Sequence, residues 1–273
     1  MSKKRIIKMV YKALKTSDGA GVSINRSIGT QQLSVVDPFL LLDEFSSDDP
    51  DDYIAGFPSH PHRGFETVTY MIDGKLQHED SAGNRGELQS GSVQWMTAGK
   101  GVVHSEMPLQ ENGLMRGFQL WLNLPAKHKM MEPRYQNLEP SDIPEIMEED
   151  YKVKVIAGEF QGIKGPVNGV ITDPVYLDVT INPETEMQIA MPDNHNAVAY
   201  IFEGAVDLGE GLIDRGNLIV LSNEGDLYAK SGKDGARFLV LAATALNEPI
   251  ARSGPFVMNT REEIMKAYED FRF

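Results

Sequence analysis

The chain has 273 residues, 41% hydrophobic and 24% charged, which allows a substantial core in one large or two ordinary domains and argues against wholesale disorder. A formal net charge of −14 repels phosphate backbones and anionic membranes, so direct nucleic-acid binding and membrane association are disfavoured. With no cysteine, disulfides, thiolate metal ligands and cysteine nucleophiles are all excluded, as suits a protein of the reducing cytosol.

At the N-terminal end the basic cluster Lys3–Arg5 reads as a solvated start. The following "IIKMVYKALK" (Ile6–Lys15) has lysines interrupting its apolar residues, unlike a signal-peptide core, and no run elsewhere is long enough to span a bilayer. From there the chain is mostly short alternating or apolar runs broken by Gly, Asn and Asp, the pattern of strands and turns in an all-β sandwich or barrel. "EPSDIPEIMEEDYK" (Glu139–Lys152), with two prolines and six acids, reads as the joint between two halves. The one persuasive helix is Asn259–Phe271: Asn259 or Thr260 can cap it, Glu262 and Glu263 suit its first turn, and Ile264, Ala267, Tyr268 and Phe271 share a face.

The two halves repeat. "TVTYMIDGKL" (Thr67–Leu76) aligns without a gap on "AVAYIFEGAV" (Ala197–Val206), an offset of 130 (204 − 74 at the glycines). "GSVQWMT" (Gly91–Thr97) aligns on "GNLIVLS" (Gly216–Ser222), an offset of 125 (216 − 91). Two copies of one β unit follow, with domains at 1–138 and 139–273, the second ending in the helix.

"FPSHPHRGFETVTYMIDG" (Phe57–Gly74) places His60 and His62 two apart. Alternate side chains on a strand face the same way, so both imidazoles can point into one barrel and approach a common metal. Glu66 has the same parity if the strand runs on past Pro61 and Gly64. In "GKGVVHSEMP", His104 and Glu106 form a second same-face pair, suiting two strands that a barrel brings together. Any lone histidine is more often a surface or hydrogen-bonded residue, but two such pairs together favour a metal site. His78, after the "DGKLQ" turn, is expected beside the site or at the surface; His128, among lysines, exposed; His195, between asparagines, in a loop; Trp95 and Met96 in the core. On the repeat, His60 and His62 fall on Ala190 and Pro192, and His104 and Glu106 on Ala229 and Ser231, so the second copy lacks the four candidate ligands.

These residues carry a resemblance. "GFPSHPHRGFETV" resembles the first motif of the cupin superfamily, and "WMTAGKGVVHSEMP" the pirin version of the second; "RSIG" (Arg26–Gly29), "DPFLLLDEF" (Asp37–Phe45) and "GPFVMNTREEI" (Gly254–Ile264) extend the likeness to pirins over nearly the whole chain. The resemblance implies a bicupin, two tandem antiparallel β-barrels of jelly-roll type with a short C-terminal helix. It also implies one divalent transition metal in the first barrel, held by His60, His62, His104 and Glu106. Iron is the expected ion, with Mn, Co, Ni, Cu or Zn as alternatives, and Glu66 is not a direct ligand. The implied chemistry is that of a quercetin 2,3-dioxygenase, in which O₂ opens the central ring of a flavonol and carbon monoxide leaves, with Glu106 as acceptor of the substrate hydroxyl proton. The alternative is a non-enzymatic regulatory adaptor whose metal senses redox state and whose partner is a protein.

Overall fold

The computed structural model describes residues 3–271. It is built almost wholly of antiparallel β-strands, with one α-helix, Arg261–Asp270, near the C-terminus. Two compact units emerge, and their chain composition differs from a division at 138/139 because each end of the chain is recruited by a different unit. One comprises Met1–Ala13, Gln31–Pro38 and Ser141–Ala245; the other comprises Leu14–Thr30, Phe39–Pro140 and Leu246–Phe273.

The second of these holds every candidate ligand. Its four-stranded sheet runs Phe57–His62, Val102–Pro108, Leu76–Asp80, Arg85–Leu88. Its seven-stranded sheet runs Arg134–Leu138, Val93–Thr97, Phe65–Asp73, Met115–Asn123, Phe39–Ser47, Val22–Ile28, Leu14–Asp18. Leu76 and Leu88 from the smaller sheet share a core cluster with Val22, Ile24, Phe45, Met71 and Met115 from the larger, so the sheets pack face to face. The chain switches sheets at Arg63–Gly64, where Gly64 has φ +90. A Cβ there would lie 2.0 Å from the Val257 carbonyl oxygen, so this corner requires glycine. The helix belongs to this unit too. Thr260 caps it through the Glu263 amide, and Glu263 closes a reciprocal capping box, so it begins just inside the expected span. Ile264 and Ala267 bury against Phe256 and Met258.

The other unit is a nine-stranded sheet centred on His195–Asp207 and Leu227–Thr244, around a wholly apolar cluster that includes Val153, Leu177, Ile189, Ala229 and Phe238. Arg5 does not lie in solvent: it is 2% exposed, and its guanidinium donates to the carbonyls of Gly225, His195, Ser222 and Pro192. Burial of an always-charged group is tolerable only with that saturation of acceptors.

The repeat is visible in the register. Tyr70 pairs with Val93 and Val68 with Trp95; at the stated offsets Tyr200 pairs with Leu218 and Val198 with Val220. The extrapolation to the histidines slips by three residues, however. Ala229 pairs with Met187 and Leu227 with Ile189, not with Ala190 and Pro192, so the residues standing where His60 and His62 stand are Met187 and Ile189. Both are buried in apolar core.

Candidate metal centre

His60 and His62 lie on Phe57–His62, and His104 and Glu106 on the adjoining Val102–Pro108. His104 pairs directly with His60 across the ladder, which places their side chains on one face. The three imidazoles form a triangle with ring centroids 4.6, 4.6 and 5.0 Å apart. One nitrogen of each lies within 4.8 Å of the others, so the group could hold a metal ion.

The donor set fits such an ion. The Nδ1 of His60 is 2.7 Å from the Pro58 carbonyl oxygen, which can only accept, so the ring carries its proton there and turns an unprotonated Nε2 inward. That Nε2 lies 3.0 Å from Nε2 of His62. Two nitrogens each about 2.1 Å from one ion and at right angles would stand about 3.0 Å apart. Both ring nitrogens of His104 are buried with no hydrogen-bond partner, a costly state for groups with no ligand to serve, while His62 keeps a backbone contact to Pro255. Burial, followed by repulsion from neighbouring imidazoles, pushes His104 down to about 3 and His62 well below its ordinary value. Both are therefore neutral at pH 7, the state in which imidazole ligates.

Glu106 is not within the tight histidine set, but it is 3% exposed and lines the same cavity as His60 and His62. The Thr69 hydroxyl donates to its Oε1 at 2.7 Å, and Gln119 Nε2 reaches its Oε2 at 3.4 Å. Glu66 sits on the other sheet, buried, with Oε1 accepting from the Thr97 hydroxyl at 2.6 Å; the break at Gly64 removes it from the face that His60 and His62 share. His78 is buried at 1% exposure, opposite Glu106 on the neighbouring strand and stacked on Tyr135 at 5.4 Å. His128 is half-buried, and His195 is buried at the start of a strand with Nε2 2.9 Å from the Asp173 carbonyl oxygen, not in a loop. Trp95 and Met96 are fully buried core.

The histidines open on a cavity of about 620 Å³, within the usual range for small-molecule sites. Leu41, Phe45, Phe57, Pro58, Trp121 and Pro255 form its apolar walls. Its polar lining includes Asp18, Arg26, Asp43, Gln119 and Arg252, none of which the motif spacing revealed. Trp121 stands 5.2 Å from the His62 ring, edge to face. Arg26 grips Asp43 bidentately at 2.8 and 2.7 Å and also pairs with Asp18. Gln119 and Trp121 share the strand Met115–Asn123, and Arg252 comes from Ala251–Ser253; only the tertiary fold brings them to the histidines.

A two-unit β-protein with a tight cluster of three histidines in one unit defines a bicupin with one candidate metal centre. Family models match twice: the pirin model over residues 21–122 and the pirin C-terminal cupin domain over 176–273. A Pseudomonas aeruginosa protein provisionally named a quercetin 2,3-dioxygenase is 47% identical over 280 residues, covering 100% of this chain and 98% of its own. The crystal structure of quercetin 2,3-dioxygenase from Acinetobacter baumannii superposes with a TM-score of 0.92 at 35% identity, covering 98% of this chain and 97% of the other. A bacterial pirin from Escherichia coli, solved in complex with nickel(II), shares the fold with a TM-score of 0.69 at 15% identity, covering 87% of this chain and 99% of the other. This chain belongs to the pirin family.

Among the described residues no helix is long and apolar enough to cross a membrane.

Proposed function

We propose that this protein is a metal-dependent dioxygenase acting on quercetin or a related flavonol or enediol, with His60, His62, His104 and Glu106 as the ligands of one divalent ion, iron in the cell. The observation that carries the reading is the tight triad of His60, His62 and His104, the last buried with both ring nitrogens unpartnered, beside an apolar-walled cavity large enough for a small aromatic molecule. Names borne by relatives support the reaction class. A redox-capable divalent ion held there supplies Lewis acidity toward a substrate hydroxyl oxygen and one-electron chemistry toward O₂.

The chain's own residues do the rest. Pro58 fixes the His60 tautomer. Thr69 holds Glu106 by Oε1, which leaves Oε2, with its longer 3.4 Å contact to Gln119, as the oxygen that receives the substrate hydroxyl proton. Trp121, Phe45 and Phe57 give a planar ring an apolar bed and exclude water from its faces.

The test is aerobic incubation with quercetin, following its absorbance and carbon monoxide release, with metal-stripped and iron(II)-reconstituted protein compared. Metal-dependent loss of the flavonol supports the dioxygenase. Loss of none with any first-row metal, together with recovery of a stable protein partner, would turn the reading to the regulatory adaptor.

A further inference from the structure

Two guanidiniums line the cavity beside the histidines, and one of them keeps a donor edge without a direct partner. Arg26 is committed to Asp43 and Asp18. Arg252 makes no ion pair among the described residues: Nη1 donates to the Leu40 carbonyl at 3.0 Å, and the guanidinium lies over the Trp121 ring, 4.8 Å from its centroid. Stacking and the single backbone bond set the plane of the group and leave its Nε–Nη2 edge unused on an exposed residue lining the cavity. That edge presents two parallel N–H donors, the fork that matches the two oxygens of a carboxylate.

Its position is firm. Arg252 lies on Ala251–Ser253, paired with Phe256–Met258, and that hairpin is fastened to the corner after His62. The Val257 amide donates to the Arg63 carbonyl at 3.0 Å. The buried Lys129 ammonium bridges the Gly64 and Val257 carbonyls at 2.8 and 3.0 Å. Because Trp121 touches both Arg252 and His62, the guanidinium is no farther from the His62 ring than those two ring contacts together, and both groups line the same cavity. Asp18 and Asp43 face the same cavity; Arg26 makes the direct contacts to both, and they act on Arg252 only through space, leaving its Nε–Nη2 edge without a hydrogen-bond partner.

We propose that Arg252 is a specificity-determining residue that binds a carboxylate, so that the site selects an enediol or ortho-dihydroxyarene bearing a carboxylate on the end opposite the metal-chelating hydroxyls. The proposal rests on the metal-binding reading of the three histidines and not on the flavonol, and it narrows the substrate class of the same site. Trp121 stacks beneath the guanidinium and flanks the ring, the Nε–Nη2 edge takes the carboxylate, and the histidine end takes the hydroxyls. No bond is made or broken in this recognition.

The test is ligand binding to nickel(II)-loaded protein under anaerobic conditions, read by quenching of Trp121 fluorescence. The probes are catechol and 3,4-dihydroxybenzoate, which differ only in the carboxylate. We expect the native protein to bind the benzoate about tenfold or more tightly than catechol, as a charge-assisted bidentate contact requires. Arg252→Gln should abolish that preference, lowering benzoate affinity by about tenfold or more beyond any change for catechol, and Arg252→Lys should restore part of it. Equal affinities in the native protein, or a parallel loss for both probes in Arg252→Gln, overturns the proposal, the second result marking a merely structural role. Benzoate titrated into metal-free protein separates the two readings. If neither diol binds the loaded protein, the metal centre is what has failed, and an Arg252-dependent or Arg252-independent benzoate response then decides the carboxylate site alone. Turnover of quercetin by a protein without the carboxylate preference would retain the dioxygenase and discard this inference.

Discussion

Lys129→Met probes the joint that holds the arginine hairpin against the metal-site corner. The Lys129 side chain is 1% exposed, and its ammonium gives its three hydrogens to Gly64 O (2.8 Å), Asn123 Oδ1 (2.6 Å) and Val257 O (3.0 Å). Removing it strands three buried acceptors at about 2 kcal/mol each, about 6 kcal/mol in all. An opposing term comes from the charge itself. Burial lowers the ammonium from 10.5 to about 8, so it remains protonated at pH 7 at a cost on the order of 3 kcal/mol. The variant should therefore lose about 3 kcal/mol at pH 7. The sign of the pH dependence is a sharper test. With the folded pKa below the unfolded one, the unfolded chain binds more protons between pH 8 and 10.5, so the Lys129 contribution becomes more favourable as pH rises through that window. The gap between native protein and variant should widen by about 2 kcal/mol or more from pH 7 to pH 10. Urea unfolding of metal-free protein, followed by tryptophan fluorescence, reads the right unit because Trp95 and Trp121 both lie in it. A gap that shrinks with rising pH, or a loss below about 1 kcal/mol at pH 7, refutes the reasoning.

Other outcomes follow from the same geometry. Glu106→Gln should retain part of the bound metal but lower flavonol turnover by about tenfold or more, in keeping with loss of a general base; steady-state rates at matched metal content check this, and unchanged turnover removes Glu106 from proton transfer. In metal-free protein, burial holds His62 and His104 below the ordinary 6.5, so stability is fully present above that pH and falls as pH drops below it, by about 1.4 kcal/mol per pH unit for His104 down to about 3, with His62 acting in the same direction. Denaturation midpoints from pH 7 to pH 4 measure it, and a flat profile would contradict buried neutral imidazoles. Gly64→Ala must force a Cβ against the Val257 carbonyl at φ +90, so it should destabilise by about 2 kcal/mol or more and weaken metal retention, measured by unfolding and by metal content after dialysis.

The histidine set was legible because strand parity is a local property: residues two apart share a face wherever the strand runs, and the sequence shows His60 with His62 and His104 with Glu106. The pairing of His104 with His60 was not local, and only the ladder between strands separated by more than forty residues supplies it. Thr69, Gln119, Trp121 and Arg252 were not legible for the same reason: they arrive from three strands, Gln119 and Trp121 sharing one. Lys129 was hidden differently. It follows Lys127 and His128 in "AKHKMM", and nothing near it in sequence shows the carbonyls that make its burial tolerable. Arg5 follows the same rule. The repeat was legible at Tyr70 and Tyr200, where core packing fixes the register, and it slipped by three residues beyond the aligned blocks, where loop length is free to vary.

The proposed chemistry requires one ion seated among His60, His62 and His104. Elemental analysis of protein purified without chelator or affinity tag, joined to anomalous diffraction at the edge of whichever metal is found, measures this directly. The prediction is one transition metal per chain, bonded to a nitrogen of each of the three rings and lost in His104→Ala. A crystal reconstituted with iron(II) that shows no anomalous peak between those rings would contradict it.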